Sequence, residues 1–329
     1  MSGDFERVVE RHRREIQVHC YRMLGSLGDA EDLTQETFLR AWKGRDGFEG
    51  RASVRTWLYR IATNACLDAL ARRPRRVLPD QLGPSGEPDG PLAAVDQPWL
   101  EPCPDRLLDL ETPDAVVVER ETIELAYLAA VQYLPPRQRA VLVLRDVLGW
   151  SAKETASLLE TSVASANSAL QRARTTLRER LPARRSEWTA GDPTAAEAAL
   201  LKRFIAAYEQ GDPSAVAKLL HEDAQAVMPP YPLWFASRAA IVRALSLSMD
   251  PAAATCVGRF RMLPIRANRQ PAVATYLRRP GEDGYRWFGV TLLTVERGLV
   301  AAMAAFEPPS AEPWGLPDVW PADGTPPPH

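Results

Sequence analysis

Apolar residues recur at helical spacing along the first third of the chain. Between Ala52 and Leu70 they fall at positions 54, 57, 58, 61, 62, 65, 69 and 70, the i, i+3, i+4, i+7 pattern of an amphipathic helix. A second helix is predicted over the preceding stretch from Asp29 to Trp42, with Asp29 as its N-cap. Residues 4–73 are therefore predicted to form a helical module.

A second helical module is predicted over residues 113–182. Within it a short helix at 152–160, N-capped by Ser151 with Glu154 at the capping-box spacing, precedes a longer helix at 163–181. Because the second helix is basic and follows a tight turn, the pair predicts a helix-turn-helix. A plain helical hairpin is the alternative for such a pattern.

From Thr194 onward the pattern changes from helix to strand. Two amphipathic helices at 194–210 and 213–221 come first. Alternating β-rich segments follow near 257–266, 272–279, 285–296 and 298–306. The sequence Pro-Gly-Glu-Asp-Gly at 280–284 predicts a hairpin turn. This order predicts an α+β cone, and the proline-crowded tail after Phe306 is expected to be extended or mobile.

Charge is strongly segregated although the net charge is only −2. Residues 45–76 hold eight arginines against three acids, residues 80–114 hold nine acids against one base, and residues 171–185 hold six arginines against one glutamate. This alternation favours two nucleic-acid contacts separated by a segment that avoids DNA. Seven prolines mark residues 75–112 as a linker.

The cysteine spacing and the length of the apolar runs argue against several classes of protein. Cys20, Cys66, Cys103 and Cys256 lie far apart with no C-x-x-C, which argues against a zinc site or a disulfide framework and favours a reducing cytoplasm. The N-terminus is charged and lacks an apolar stretch, so no signal peptide is predicted. The sequence has no run of about 18 apolar residues, so no membrane span is predicted. No metal or cofactor is expected.

Two helix faces in the first module carry candidate chemistry. The polar face of the 52–70 helix mixes side chains suited to phosphates, base stacking and base edges, as in single-stranded DNA binding; an ordinary solvated face is the alternative. On the preceding helix Asp32, Gln35 and Glu36 share an outer face that suits docking on a basic protein surface. Local pairing of Glu36 with Arg40 is the alternative there.

Two motif blocks resemble a known family. The run DAEDLTQETFLRAW, followed by VRTWLYRIATNACLD, resembles region 2 of extracytoplasmic-function sigma factors, and LPPRQRAVLVLRDVLGWSAKETASLLETSVASANSALQRAR resembles sigma region 4. The resemblance implies a transcription initiation factor that binds core RNA polymerase through the β′ clamp helices and the β flap. It places Asp32, Gln35 and Glu36 on the polymerase. It implies −10 contacts from Arg51, Arg55, Tyr59, Arg60, Thr63 and Asn64.

The same resemblance places the start of the 163–181 helix in the −35 major groove. The implied base contacts are Ser162, Val163, Ala164, Ser165, Asn167 and Ser168, with Arg172 and Arg174 on phosphates. Family members usually carry a basic residue at 167 and an arginine at 169, where this chain has asparagine and alanine. Glu160 replaces a frequent turn glycine. Fewer phosphate contacts predict a modest affinity for the −35 element.

The last domain resembles the SnoaL-like, nuclear-transport-factor-2-like superfamily through F-x-x-A-Y-x-x-G-D and W-F-x-S-R-x-A-I. The expected pocket residues are Tyr208, Trp234, Tyr276 and Trp287. His221, Asp223 and Glu307 are acid–base candidates, with capping or surface exposure as the alternative for the first two. Because fold alone does not give function, we expect a regulator acting in cis and no enzyme; an isomerase or cyclase with an N-terminal targeting module is the alternative.

The linker resembles those of sigma factors with fused C-terminal domains. Its Trp99-Leu100-Glu101-Pro102-Cys103-Pro104 island is similar to a Trp-Leu-Pro motif and is expected to dock on region 2 or the C-terminal domain. The resemblance implies that its acids stand in for RNA phosphates in polymerase channels; a spacer that repels DNA is the alternative.

These expectations define two all-α modules followed by an α+β cone. The boundaries are 1–74 for region 2, 75–112 for the linker, 113–183 for region 4, 194–308 for the SnoaL-like domain and 309–329 for the tail. Expected partners are core RNA polymerase, promoter DNA and an unidentified small ligand of the C-terminal domain, in the cytoplasm. A separate anti-sigma factor is not required, and the sequence leaves it open.

Overall fold

The computed structural model describes residues 7–48, 50, 52–90, 93–108, 122–181, 194–253, 255–321 and 324–327. The chain divides into two compact units. Unit 1 comprises Met1–Arg76, Leu100–Cys103 and Leu107–Ala183, and unit 2 comprises Val77–Trp99, Pro104–Arg106 and Arg184–His329. Segments of the predicted linker therefore belong to each unit.

Unit 1 begins with three packed helices. These are α1 (Arg13–Leu24), α2 (Leu27–Gly44) and α3 (Val54–Arg72). Their contact surfaces bury Ile16, Tyr21, Met23 and Leu58 almost completely, which supplies the hydrophobic driving force for the bundle. A single 3₁₀ turn, Arg45–Gly47, follows α2.

Polar N-caps fix where α2 and α3 begin. The side chain of Ser26 accepts a hydrogen bond from the Asp29 N–H, and the side chain of Ser53 accepts one from the Thr56 N–H. The N-cap of α2 is thus Ser26, and the sequence-based assignment of Asp29 is wrong. Asp29 lies in the first turn of the helix, where an acid also interacts favourably with the helix dipole.

The short helix α4 (Asp105–Leu108) includes residues of both units, and among the described residues four further helices of unit 1 follow it. They are α5 (Leu125–Val131), α6 (Pro136–Leu142), α7 (Ala152–Leu158) and α8 (Val163–Arg180). The chain of α6 continues as one turn of π-helix over Val143–Val147. The capping box predicted from Ser151 and Glu154 opens α7. Helix α3 packs against α6, so regions 2 and 4 share one compact unit.

Unit 2 is built on one six-stranded sheet. Helices α9 (Ala195–Gln210), α10 (Pro213–Ala217) and α11 (Arg238–Met249) accompany it. Its strands are β1 (Leu220–Val227), β2 (Trp234–Phe235), β3 (Arg259–Ala267), β4 (Gln270–Arg278), β5 (Arg286–Glu296) and β6 (Leu299–Phe306). The order is β2-β1-β6-β5-β4-β3, with β1 and β6 parallel and the other neighbours antiparallel. Strands β2 and β3 are therefore the two edges.

The two faces of this sheet are covered by different parts of the chain. Phe204, Val273 and Met303 belong to one buried cluster with residues of the helices. Tyr276 lies three residues after Val273 in β4, so its side chain points to the opposite face. There the tail packs: Trp320 contacts the Tyr276 ring at 5.2 Å, and the Tyr276 hydroxyl donates to the Pro317 carbonyl at 2.8 Å.

Two expectations for the C-terminal domain change with the structure. His221 and Asp223 lie on strand β1 and not at a helix end, because α10 stops at Ala217. The tail was expected to be extended or mobile, yet Trp314 and Trp320 are buried. The driving force is burial of aromatic area against the outer sheet face. The four β-rich segments and the turn at 280–284 are confirmed within one to two residues.

Candidate functional site

The outer face of α2 presents the residues predicted to contact a protein partner. Asp32 and Gln35 are exposed and Glu36 is half-buried, and Glu36 accepts a hydrogen bond from Arg40 at 2.5 Å. One turn further along the same face, Leu39 is 52% exposed. Asp32, Gln35, Glu36 and Leu39 follow i, i+3, i+4 and i+7 spacing, so two carboxylates, an amide and an exposed leucine form one mixed polar and apolar surface.

The N-terminus of α2 is fixed by ionic contacts from two directions. Arg76 contacts Asp29 at 2.5 Å, and Arg73 also pairs with it. Burial alone raises the pKa of Asp29, but hydrogen bonds from Arg76 and Arg73 outweigh it and hold that pKa below its ordinary value. From the linker, Glu101 accepts hydrogen bonds from the Leu27 N–H at 2.9 Å and the Gly28 N–H at 3.3 Å.

The linker island docks on region 2 through these contacts. Leu100 is fully buried, and a side chain at Gly25 would lie 2.5 Å from its Cδ2 atom. The hydroxyl of Tyr21 donates to the Glu101 carbonyl at 2.7 Å. Leu100 and Glu101 therefore make contacts with region 2 inside unit 1, as expected for the island at residues 99–104.

The predicted −10 face of α3 is divided by burial. Arg55, Arg60 and Asn64 are exposed, whereas Tyr59 and Thr63 are 1% and 0% exposed. Arg51 lies outside the described residues. Helical periodicity alone could not reveal this division, because the partners of Tyr59 and Thr63 lie on α1 and in region 4.

Tyr59 lies in a buried polar cluster. Its hydroxyl donates to Glu15 at 3.2 Å, and its ring contacts those of His19 and Trp150. Burial and the Glu15 charge raise the pKa of Tyr59. Nearby, the Arg60 guanidinium donates to the Ser157 carbonyl of α7 at 3.3 Å. Region 4 therefore covers part of the −10 face.

The helix-turn-helix presents its predicted reading surface to solvent. All eight −35 candidates are exposed, the N-cap Ser162 and seven residues of α8: Val163, Ala164, Ser165, Asn167, Ser168, Arg172 and Arg174. Ser162 is also the N-cap, and its side chain accepts from the Ser165 N–H at 3.0 Å. Ser162 therefore has a structural role at the start of the helix besides any contact with DNA.

Two further features modify this surface. Arg174 makes a bidentate contact with Asp146 at 2.9 and 2.7 Å, so its guanidinium is already paired while Arg172 remains exposed. Glu160, in the turn before α8, has a φ of 50°, the left-handed conformation that favours glycine. The predicted substitution of a turn glycine thus falls on a position where glycine has a physical advantage.

The four predicted pocket residues do not converge. Tyr208 packs on the helix side of the sheet, with ring contacts to Phe204 at 4.6 Å and Phe260 at 6.1 Å. Tyr276 and Trp287 lie on the opposite face, with their rings 5.7 Å apart. Trp234 lies on edge strand β2, where its indole N–H donates to the Gly83 carbonyl at 2.9 Å.

The acid–base candidates do not form one cluster, because His221 and Asp223 are neighbours near the start of β1 whereas Glu307 follows the end of β6, which runs parallel to β1. Glu307 follows β6 and accepts a hydrogen bond from the Tyr231 hydroxyl at 3.3 Å. Burial raises the pKa of Glu307. On β1, His221 accepts a bond from the Asp223 N–H at 3.3 Å. Among the described residues no group of three or more His, Cys, Asp or Glu side chains could hold a metal ion.

Three family models match consecutive parts of the chain. Sigma-70 region 2 matches residues 8–76, Sigma-70 region 4 matches residues 124–177, and the SnoaL-like domain matches residues 201–303. The ECF RNA polymerase sigma factor SigG of Mycobacterium tuberculosis is 45% identical over 319 residues, covering 96% of this chain and 85% of SigG. This chain belongs to the extracytoplasmic-function sigma factor family.

Other relatives support the same family assignment for this sigma factor. SigW of Bacillus subtilis is 33% identical over 180 residues, covering 54% of this chain and 88% of SigW. The crystal structure of Mycobacterium tuberculosis SigJ superposes with a TM-score of 0.57 at 24% identity, covering 96% of this chain and 98% of that one. The SigJ likeness shows that the three-part fold is shared. Among the described helices, none is long and apolar enough to cross a membrane.

Sequence reasoning missed three residues that shape these surfaces and the helix-capping role of a fourth. Leu39 could have been found from the α2 face, because it continues the i, i+3, i+7 row of Asp32 and Gln35. Arg139 and Trp150 contact residues of region 2, Met23 and Tyr59, and local sequence patterns do not predict such long-range contacts. The linker residue Glu101 caps a helix 73 residues away.

Proposed function

We propose that this sigma factor binds core RNA polymerase through the α2 face formed by Asp32, Gln35, Glu36 and Leu39. The exposed leucine supplies apolar area, and the acids supply electrostatic complementarity to a basic partner such as the β′ clamp helices. Region 4 contacts the β flap in this proposal. Replacing Asp32 and Glu36 by arginine together should abolish core binding while circular dichroism stays unchanged, whereas Glu31→Arg on the same helix should have little effect.

The −35 element is read by α8. The observation that carries this part is the exposure of all eight candidate side chains at and after the N-terminus of α8. Asn167 and the serines suit base edges, Val163 and Ala164 suit a thymine methyl, and Arg172 suits a phosphate. Asn167→Ala should relax specificity at one base pair, whereas Arg172→Ala should weaken binding to all sequences and lower the salt slope by about 1.

The −10 strand is read by Arg51, Arg55, Tyr59, Arg60, Thr63 and Asn64. In this proposal Tyr59 becomes available only when Trp150 moves away from it, so region 4 must separate from region 2 before the −10 strand binds. Arg55, Arg60 and Asn64 are already exposed and can make the first contacts.

The decisive experiment is run-off transcription by the full chain with core polymerase on a randomised promoter library. Enrichment of one −35 and −10 pair, with the preference relaxed at one −35 base pair in Asn167→Ala, is the expected result. Failure to initiate on any member of the library would remove the assignment.

The C-terminal domain acts in this proposal as a regulator in cis and has no catalytic role. Support comes from the separation of Glu307 from His221 and Asp223 and from the use of Trp234, Tyr276 and Trp287 in contacts with other parts of the chain. The arrangement needs no separate anti-sigma factor. Loss of regulation should follow from disrupting those contacts and not from Glu307→Gln.

A further inference from the structure

We propose that the C-terminal domain carries a second DNA-binding surface, which holds the phosphates of duplex DNA independently of sequence. The surface consists of Arg259, Arg261 and Arg278, on the outer face of the sheet where β3 begins and β4 ends. The promoter reading proposed above places every DNA contact in regions 2 and 4, so this surface adds a contact on a different part of the chain.

Antiparallel pairing brings arginines from three strands to the same end of the sheet. Because neighbouring strands run in opposite directions, β3 begins, β4 ends and β5 begins there. Five arginines lie at this end: Arg259, Arg261, Arg278, Arg279 and Arg286. Among the residues that the structure describes, none of the five forms an ion pair, although Glu282 and Asp283 lie in the turn between β4 and β5. This end of the sheet therefore has an excess of positive charge.

Strand alternation selects the three arginines of the surface. Arg259 and Arg278 are cross-strand partners, and Arg261 is the partner of Tyr276, whose side chain points to the outer face. Residues two apart on a strand share a face, so the three arginines lie on that outer face. The other two arginines directly follow or precede outer-face residues in sequence and therefore point to the opposite side.

Aromatic rings hold two of these guanidinium groups in place. Arg261 and Arg278 lie over the Tyr285 ring, with their Cζ atoms 5.2 and 5.1 Å from its centroid. Arg261 also lies 5.3 Å from the centroid of the Trp320 ring and donates to the Gly324 carbonyl at 3.1 Å. Cation–π contacts orient a guanidinium while N–H donors stay available for an oxyanion. Because the side chains are ordered before a ligand binds, the entropy cost of binding is reduced.

The pairing of Arg259 with Arg278 is unfavourable for the fold alone. Like charges directly opposite each other on neighbouring strands destabilise a sheet. A bound polyanion removes this repulsion and gains charge-assisted hydrogen bonds from both guanidinium groups. This pair on an exposed face is therefore better explained by a polyanionic ligand than by packing of the domain.

Spacing and ring coverage favour the backbone of duplex DNA as that ligand. Arg259 and Arg261 stand two residues apart on one strand, about 6.7 Å, which is close to the separation of successive phosphates along a nucleic-acid strand. Tyr285 is half-buried and already carries two guanidinium groups, and Trp320 is 7% exposed, so the surface offers little aromatic area for stacking unpaired bases. Duplex DNA also releases more counterions per neutralised phosphate than a single strand does.

Such a surface offsets the small number of phosphate contacts on α8, a consequence that rests on the proposed −35 reading. The family resemblance leads us to expect basic residues where α8 has Asn167 and Ala169, and Arg174 is already paired with Asp146. Contacts from the C-terminal domain raise the affinity for DNA of any sequence, whereas α8 selects the sequence. General affinity and sequence choice are thereby separated between two domains.

Salt-dependent binding of the full chain to a labelled random-sequence duplex tests the surface. Arg259→Gln combined with Arg278→Gln should reduce the slope of log K against log[salt] by about 2 and lower the affinity about tenfold at low salt. Lys202→Gln combined with Arg203→Gln removes the same charge from exposed positions of α9 and is the matched control, which should keep the wild-type slope. Fluorescence anisotropy across a sodium chloride series measures both quantities.

Two further measurements separate binding from folding. Because the glutamine pair removes a repulsive contact, its melting temperature should be no lower than that of the wild type. Arg259→Lys combined with Arg278→Lys keeps both charges and should bind the duplex nearly as well as the wild type. A lysine pair that loses as much affinity as the glutamine pair would overturn a role for these charges in phosphate binding.

Other outcomes would also contradict the proposal. An unchanged salt slope in the glutamine pair, or an equal change in the control at Lys202 and Arg203, would exclude the surface. A loss of affinity confined to single-stranded DNA of the same length, or to poly-glutamate as an acidic protein probe, would overturn the assignment to duplex DNA. The assay contains no polymerase, so a chain that initiates nowhere in run-off transcription would contradict the proposed function and leave this result standing.

Discussion

The Tyr59 ring of α3 lies edge-on to the Trp150 indole, with centroids 5.6 Å apart and planes inclined at 64°. Trp150 directly precedes the helix-turn-helix, so a side chain predicted to read the −10 strand is covered by the module predicted to read −35. An edge-to-face pair of this kind contributes about 0.5–1.5 kcal/mol beyond its buried area. This pair is therefore one of several contacts between regions 2 and 4 that must be broken before Tyr59 is exposed.

Trp150→Ala should make Tyr59 accessible. Nitration of Tyr59 by tetranitromethane, followed by mass spectrometry, should be slow in the wild type and many-fold faster in the variant. Trp150→Phe keeps an aromatic edge against the ring and should remain close to wild type. Equal nitration of Tyr59 in all three proteins would show that Trp150 does not control its exposure.

Arg139 should be a major determinant of region 2–region 4 packing. Arg139 is 3% exposed, and its guanidinium donates to the Met23 carbonyl at 2.6 Å and to the Gln132 amide oxygen at 2.9 Å. Burial lowers its pKa to about 10, so it stays charged at neutral pH. Arg139→Ala leaves these acceptors unpaired and should cost about 3 kcal/mol in urea unfolding.

The exposed Arg137 provides the control for Arg139. Arg137→Ala, in the same helix, should change the free energy of unfolding by less than about 0.5 kcal/mol. Arg139→Lys should recover only part of the loss, because an ammonium cannot match the spread of the guanidinium donors. A loss equal to that of Arg137→Ala would rule out the proposed packing role.

Short-range sequence patterns were sufficient to predict most helices, strands and turns of this fold. The capping box at Ser151 and Glu154, the 3.6-residue period of α3 and the turn at 280–284 are short-range features, and each is where the sequence predicted it. The N-cap of α2 was misplaced because two candidates, Ser26 and Asp29, stand three residues apart and both suit a helix start.

Long-range packing was beyond the reach of those patterns. Tyr59 and Thr63 lie on the polar side of α3 by periodicity, yet the His19 ring nitrogen Nε2 lies 3.0 Å from the Thr63 hydroxyl, and Trp150 covers Tyr59. The predicted pocket residues were grouped because they are aromatic. Tyr208 packs on the same face of the sheet as Val273, whereas strand alternation places Tyr276 on the opposite face. Such outcomes depend on partners far away in sequence.

Leu39→Ala should weaken core polymerase binding about tenfold, or about 1.4 kcal/mol, if this exposed side chain is part of the docking surface. Fluorescence anisotropy of labelled protein titrated with core polymerase measures the loss. Leu39→Met should bind nearly as well, since it retains the apolar area. Glu31→Ala controls for changes elsewhere on α2. Equal affinity of Leu39→Ala and wild type would exclude Leu39 from the interface.

His19 should make the stability of unit 1 depend on pH. Burial first, and then the charges of Arg22 and Arg55, lower its pKa from 6.5 to about 3. Between these values the unfolded chain binds a proton that the folded chain does not, so stability is lost as pH falls below 6.5, at up to about 1.4 kcal/mol per pH unit. Urea unfolding between pH 7 and 5 measures this slope.

His19→Gln should flatten the slope, because the group that gains the proton on unfolding is gone. His221→Gln, on the C-terminal domain, controls for the loss of a histidine and should leave the slope of unit 1 unchanged. A slope that persists in His19→Gln would assign the dependence to other groups.

Glu160→Gly should stabilise region 4. Glu160 adopts a φ of 50°, where a Cβ atom costs about 1 kcal/mol that glycine avoids. Part of this gain is offset by the larger entropy of glycine in the unfolded chain, so we expect a net gain of about 0.5 kcal/mol. Glu160→Ala keeps the Cβ atom and should show no gain, which separates backbone strain from the removal of a negative charge near α8. If the alanine and glycine variants are equally stable, strain at this turn is not what limits the helix-turn-helix.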